Sequence, residues 1–82
     1  MANIEVTQLD GKQNNYNFVV NVDYFEYRVS LGEDYYQKLT GGKIMPNELV
    51  YKSFEFLLGK ESPQSILKEF DLTVISNYFP DF

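Results

Sequence analysis

The chain contains no cysteine and no histidine. The first absence excludes disulfide staples and thiolate metal sites. The second removes the usual general base near neutral pH and the commonest metal ligand. Basic residues are scarce too, seven against twelve acidic ones, for a net charge of −5. That balance argues against duplex nucleic acid or an anionic membrane as partner, since both demand a basic face. No apolar run approaches the ~18–20 residues that span a bilayer. The opening MANIEVTQLD has neither a basic n-region nor an apolar h-region, so no signal peptide is expected and the cytoplasm is the default location.

Aromatic residues are what the chain has in quantity. Seven Phe and seven Tyr make up 17% of its 82 residues, and each ring removes roughly 150–250 Å² from water when enclosed. A chain of this length forms one domain that buries only about 60–65% of its unfolded surface, so its stability is marginal. Large rings let such a domain build its core from few pieces.

Residues 3–31 read as strands. In YNFVVNV, Tyr16, Phe18, Val20 and Val22 share one face, and Asn17, Val19 and Asn21 the other. FEYRVSL alternates just as strictly, with Phe25, Tyr27, Val29 and Leu31 inward. A turn at Asp23-Tyr24 sets Val22 against Phe25, Val20 against Tyr27 and Phe18 against Val29, which aligns the two apolar faces. Asp-Tyr is poor turn chemistry, so pairing fixes this hairpin. The first strand, NIEVTQL, carries Ile4 and Val6 on one face; Leu9 breaks the parity, and a bulge or strand end is expected there before a polar DGKQNN loop.

A three-stranded meander with one apolar face needs a helical cover, expected from residues 33–79. GEDYYQKLTGG has acids at its start, Lys38 near its end and Gly41-Gly42 as terminator. PNELVYKSFEFLLG opens on Pro46 and is expected to close on Gly59 as the residue after the cap. Its stripe of Leu49, Val50, Phe54, Leu57 and Leu58, flanked by Tyr51 and Phe56, spans roughly 220°, more than one buried face requires. The rest of its cover must come from ESPQSILKEFDLTVISNYFPDF. There Ser62 and Pro63 open a helix with Ile66, Leu67 and Phe70 in one stripe, and Asp71 caps another with Leu72, Ile75 and Phe79 aligned. Residues 80–82 should fray. The fold class is therefore α+β: a three-stranded antiparallel meander followed by three or four helices on one face of the sheet, as a single domain over residues 1–82.

Little in this pattern points to chemistry. LTGGKI lacks the first Gly and the Ser or Thr of a phosphate loop, Gln37 and Ile44 standing in their places, and reads as a glycine helix stop. Glu33, Asp34, Glu55, Glu61, Glu69 and Asp71 fit helix starts and solvated faces, without calcium-loop or di-metal spacing. Ser53, Ser62 and Ser65 have no histidine to activate them. The aromatics fall on the covered sheet face, so base stacking is not expected. These observations point to no enzyme, no cofactor and no metal.

Tyr51, Phe56, Tyr78, Phe79 and Phe82 remain. They either complete the core or leave an aromatic recognition patch, since such residues are enriched in interface centres; the interaction-surface candidates are Tyr51, Phe56, Tyr78 and Phe82. The run FEYRVSLGEDYYQKLTGG with PNELVYKSFEFLLGKESPQSILKEFDLTVISNYFP resembles short prokaryotic proteins of unknown function over residues 25–80. That resemblance implies a compact bacterial or archaeal protein and assigns no functional residue. Two functional expectations follow: a small interaction module acting as a homodimer or with a protein partner, or a small-molecule or catalytic domain using carboxylates and tyrosines in an aromatic pocket.

Overall fold

The structure, a computed structural model, describes residues 3–12 and 14–78, and the side chains of residues 10–12 and 78 lie outside that description. The element order is β1 (Ile4–Lys12), β2 (Asn15–Val22), β3 (Phe25–Gly32), α1 (Glu33–Thr40), α2 (Pro46–Lys60), a 3₁₀ turn (Pro63–Ser65), β4 (Glu69–Asp71) and α3 (Thr73–Tyr78). The fold is α+β, with a four-stranded sheet ordered β1-β2-β3-β4.

The β2–β3 register is the one the alternation dictates: Val22 opposes Phe25, Val20 opposes Tyr27 and Phe18 opposes Val29. Asp23 turns the corner at φ 54°, a left-handed conformation that Asp tolerates. Its N–H donates to Asn3 O at 3.1 Å, and its Oδ1 accepts from Asn3 N–H at 3.2 Å. Strand β1 pairs antiparallel with β2, and the register shifts between Leu9 and Lys12, where the broken parity places an irregularity. β1 nevertheless continues to Lys12, so the expected polar loop is mostly strand.

Four expectations fail in the second half. The sheet has a fourth strand, parallel to β3, with Arg28, Val29 and Ser30 opposite Glu69, Phe70 and Asp71. The sheet is therefore mixed, and residues 33–79, expected to supply helices, also give the sheet a strand. The stripe of Ile66, Leu67 and Phe70 does not form a helix: only Pro63–Ser65 makes a turn, and Ile66 is extended at φ −82°, ψ 135°. Ile66 and Phe70 are buried while Leu67 is 53% exposed, which one helical stripe cannot produce. Hydrogen bonds to β3 hold the segment extended instead, Arg28 N–H to Lys68 O at 2.7 Å and Leu72 N–H to Ser30 O at 2.9 Å. Ser62 does not cap through its side chain; its Oγ lies 3.2 Å from Ser65 Oγ. Gly59 also sits inside α2, which ends at an extended Glu61.

Other signals hold. α1 has Glu33 and Asp34 in its first turn and Lys38 in its last, and Gly41 ends it at φ 64° with its N–H on Gln37 O. Because that conformation crowds any Cβ, Gly41→Ala should cost about 1 kcal/mol. Chemical denaturation checks it: an unchanged midpoint would show that α1 ends some other way. Asp71 Oδ1 accepts from Thr73 N–H at 3.1 Å and Thr73 Oγ at 2.8 Å, opening α3.

The helices cover one face of the sheet. Phe18, Val20, Val22, Tyr27, Val29 and Leu31 from the strands meet Leu49, Val50, Phe54 and Leu57 of α2, with Phe70, Leu72 and Ile75 completing the core. Phe54 stands at its centre, 5.3 Å from the Tyr27 ring and 6.0 Å from the Phe70 ring. Ser53, fully buried on the same helix, donates its Oγ hydrogen to Leu49 O. Leu72 and Ile75 are buried as the aligned stripe requires, and Phe79 lies outside the described residues.

Candidate functional site

Four places on the molecule could act on something else. The first is a cluster of tyrosines and a carboxylate at the start of α1. Tyr16 donates to Glu33 Oε1 at 2.5 Å, and its ring meets Tyr36 edge-on at 5.8 Å. Tyr36 in turn donates to Ile44 O, and Gln37 Nε2 donates to Glu33 Oε2 at 3.1 Å. These bonds tie β2 to α1 and to the loop before α2. Every polar tip is spent on another protein group, so the cluster serves as a fastening.

Two tyrosines have hydroxyls held above their ordinary pKa. For Tyr16 the main cause is its hydrogen bond to Glu33, with burial second; for Tyr27 the cause is burial. Both shifts favour the neutral phenol in the folded state. Their contribution to stability is therefore complete below the unfolded value near 10 and declines as pH rises from there toward the raised folded values. Tyr27 also donates to Pro63 O at 2.6 Å. Tyr27→Phe should cost about 1 kcal/mol at neutral pH through that lost bond and should flatten part of the alkaline decline. Urea unfolding at successive pH values checks both, and an unaltered alkaline slope would remove Tyr27 from the effect.

The second place is a cleft of about 380 Å³ on the sheet face opposite the core, with Leu9, Asn17, Arg28, Ser30, Glu69 and Asp71 among its lining. Register explains its composition. Leu9, Asn17, Ser30 and Asp71 form one row across the four strands, and Thr7, Val19, Arg28 and Glu69 the next. Ser30 Oγ donates to Asp71 Oδ2 at 2.8 Å across the β3–β4 seam. No aromatic stands in either row.

The third is a cleft of about 240 Å³ between the end of α2 and the segment from the 3₁₀ turn to α3, lined by Leu57, Glu61, Ser65, Ile66, Leu67, Phe70, Val74 and Ile75. Its wall is largely apolar. Neither cleft includes Tyr16, Tyr36 or Glu33.

The fourth is the outer edge of β1. Among the described residues the sheet order puts no strand beyond it. Asn3, Glu5, Thr7, Gln8 and Leu9 are exposed there, and Ile4 and Val6 are half-buried. An edge of this kind presents a row of unpaired N–H and C=O groups to any strand that can reach it. Sequence reasoning did not single it out, although two signals were available: the first strand of a meander has one neighbour only, and residues 4–9 contain neither lysine nor proline.

The aromatic candidates are distributed otherwise. Tyr51 is 41% exposed on α2. Phe56 is half-buried on the same helix, with Lys60 Nζ 5.5 Å from its ring. Five positions apart, they point about 140° away from each other around the helix axis. The side chain of Tyr78 and all of Phe82 lie outside the described residues. Among the described residues no group of three or more His, Cys, Asp or Glu could hold a metal ion, and no helix is long and apolar enough to cross a membrane. Comparison with protein-family models, curated proteins and solved structures finds no match to this chain.

Proposed function

We propose that the domain is a non-enzymatic interaction module that works first by self-association and, through its apolar cleft, can seat a protein partner. The edge of β1, which no described strand pairs, carries this reading. The chain's composition supports it: without histidine or cysteine it lacks the common nucleophile–base pairs. Glu33 and Asp71 support it too, because both are engaged in hydrogen bonds that hold elements together. Acidic character and a polar, ring-free outer sheet face favour a protein over nucleic acid as partner.

Sedimentation velocity from micromolar to submillimolar concentration tests the reading. Reversible association to twice the chain's mass is expected. A strict monomer throughout that range would leave the reading without its main support.

The outer-face cleft favours a second reading, a binding site for a small polar molecule. Its volume falls in the range of small-ligand pockets, about 300–1,000 Å³, and it sets Arg28 opposite Glu69 in register. A thermal-shift screen of zwitterionic and anionic metabolites tests it, since a ligand that binds only the folded state raises the melting temperature. Flat melting curves across the screen would eliminate it.

A further inference from the structure

Resting on the self-association reading, we propose that two copies join antiparallel, β1 against β1, about a two-fold axis at Val6, fusing their sheets into one continuous sheet. The backbone supplies the first constraint. Asp23 N–H donates to Asn3 O, and antiparallel strands alternate bonded with non-bonded positions. Asn3 therefore spends its N–H and C=O on Asp23, Glu5, Thr7 and Leu9 spend theirs on β2, and Ile4, Val6 and Gln8 turn theirs outward. Regular pairing stops after Leu9, where the register shifts. An axis at Val6 centres the usable stretch. Val6 then meets Val6 of the second copy and Ile4 meets its Gln8, engaging every outward group from 4 to 8 in about six backbone hydrogen bonds.

Side chains select the same axis. Pairing even positions with even positions keeps the helix-covered faces of both copies on one side, as sheet alternation requires. An axis at Glu5 sets two carboxylates directly opposite each other, a destabilising arrangement, and does so in a chain of net charge −5. An axis at Thr7 sets Ile4 against Asp10 and runs into the irregular segment. With the axis at Val6, Glu5 faces Thr7 and no like charges meet. Burial points the same way. Val20 and Tyr27, which continue the row of Val6 across the sheet, are fully buried, whereas Val6 is half-exposed. A second copy continues that row beyond Val6. Proteins normally blunt such an edge with charged residues (lysine above all), proline or a bulge; residues 4–9 carry Glu5 as their one charge and no lysine or proline, and the irregularity comes only after Leu9.

Because the native chain has no cysteine, a single introduced thiol reports the register. Directly opposed bonded residues stand about 5.5 Å apart at Cα, within the ~4.4–6.8 Å that a disulfide bridges. Under mild oxidation Val6→Cys should give a covalent dimer, and Glu5→Cys should stay uncrosslinked. Gln8→Pro removes an outward N–H while leaving the β1–β2 ladder intact, so it should weaken the dimer on the order of ten-fold or more with an unchanged far-ultraviolet spectrum. If the native chain dimerises but Val6→Cys does not crosslink, or Glu5→Cys crosslinks readily, the axis is wrong while self-association stands. If the native chain is monomeric at every concentration, both fail together. Should Gln8→Pro not fold, the two cysteine variants still decide.

Discussion

Phe54→Ala is expected to remove about 3–5 kcal/mol of stability, the usual loss when a phenyl ring is cut from a packed core. The residue is fully buried, and its ring touches both halves of the fold, Tyr27 on β3 and Phe70 on β4. Truncation therefore opens a cavity where helix and sheet meet, and it removes two ring contacts that exceed simple area burial. A domain of this size starts with only ~5 kcal/mol or a little more, so the variant should be largely unfolded at physiological temperature. Circular dichroism and urea titration check this. A variant that melts where the native chain does would mean that this face of α2 is not the core.

Asp71→Ala is expected to cost about 2–3 kcal/mol, more than a half-buried carboxylate normally costs. The reason is its position at a junction. One oxygen accepts from Ser30 across the β3–β4 seam, and the other accepts from the Thr73 N–H and hydroxyl at the start of α3. The same side chain thus fastens the last strand and opens the last helix. Ser30→Ala removes only the first of these bonds and should cost about 1 kcal/mol. A double-mutant cycle between the two separates the contributions. If Asp71→Ala costs no more than Ser30→Ala, the bonds to Thr73 contribute nothing.

What could be read from the amino acids depended on how long each periodic signal ran. Strict alternation over residues 16–22 of β2 and 25–31 of β3 made even the register legible, because a slip of one residue would turn Phe18, Val20 and Val22 to the outside. The glycine stop of α1 and the opening of α3 at Asp71 were legible as local chemistry. β4 was not. Its three residues are too few to show a period, and Ile66, Leu67 and Phe70 mimic a helical stripe until tertiary contacts leave Leu67 outside. Gly59 misled because glycine only favours the residue after a helix and does not compel an ending there; α2 runs one residue past it, to Lys60, and turns out of the helix at Glu61. The candidate aromatics were legible as rings and not as a patch. Tyr51 and Phe56 are near in sequence but diverge around the helix. The β1 edge was implicit in the meander topology, but hydropathy patterning reports which face is wet and says nothing about which strand lacks a neighbour.

The parallel pairing of β4 with β3 also has a kinetic consequence. Residues 28–30 meet residues 69–71, so the whole of α1 and α2 must be looped out before the first of those contacts forms. Loop closure of that span is slow compared with zipping the adjacent strands of the β2–β3 hairpin. The hairpin is therefore the natural nucleus, and the last strand with its helix is the piece that docks late. Substitutions at Phe70 or Asp71 should then act chiefly by speeding escape from the native state, leaving the refolding rate nearly untouched, whereas substitutions at Val20 or Tyr27 should slow refolding itself.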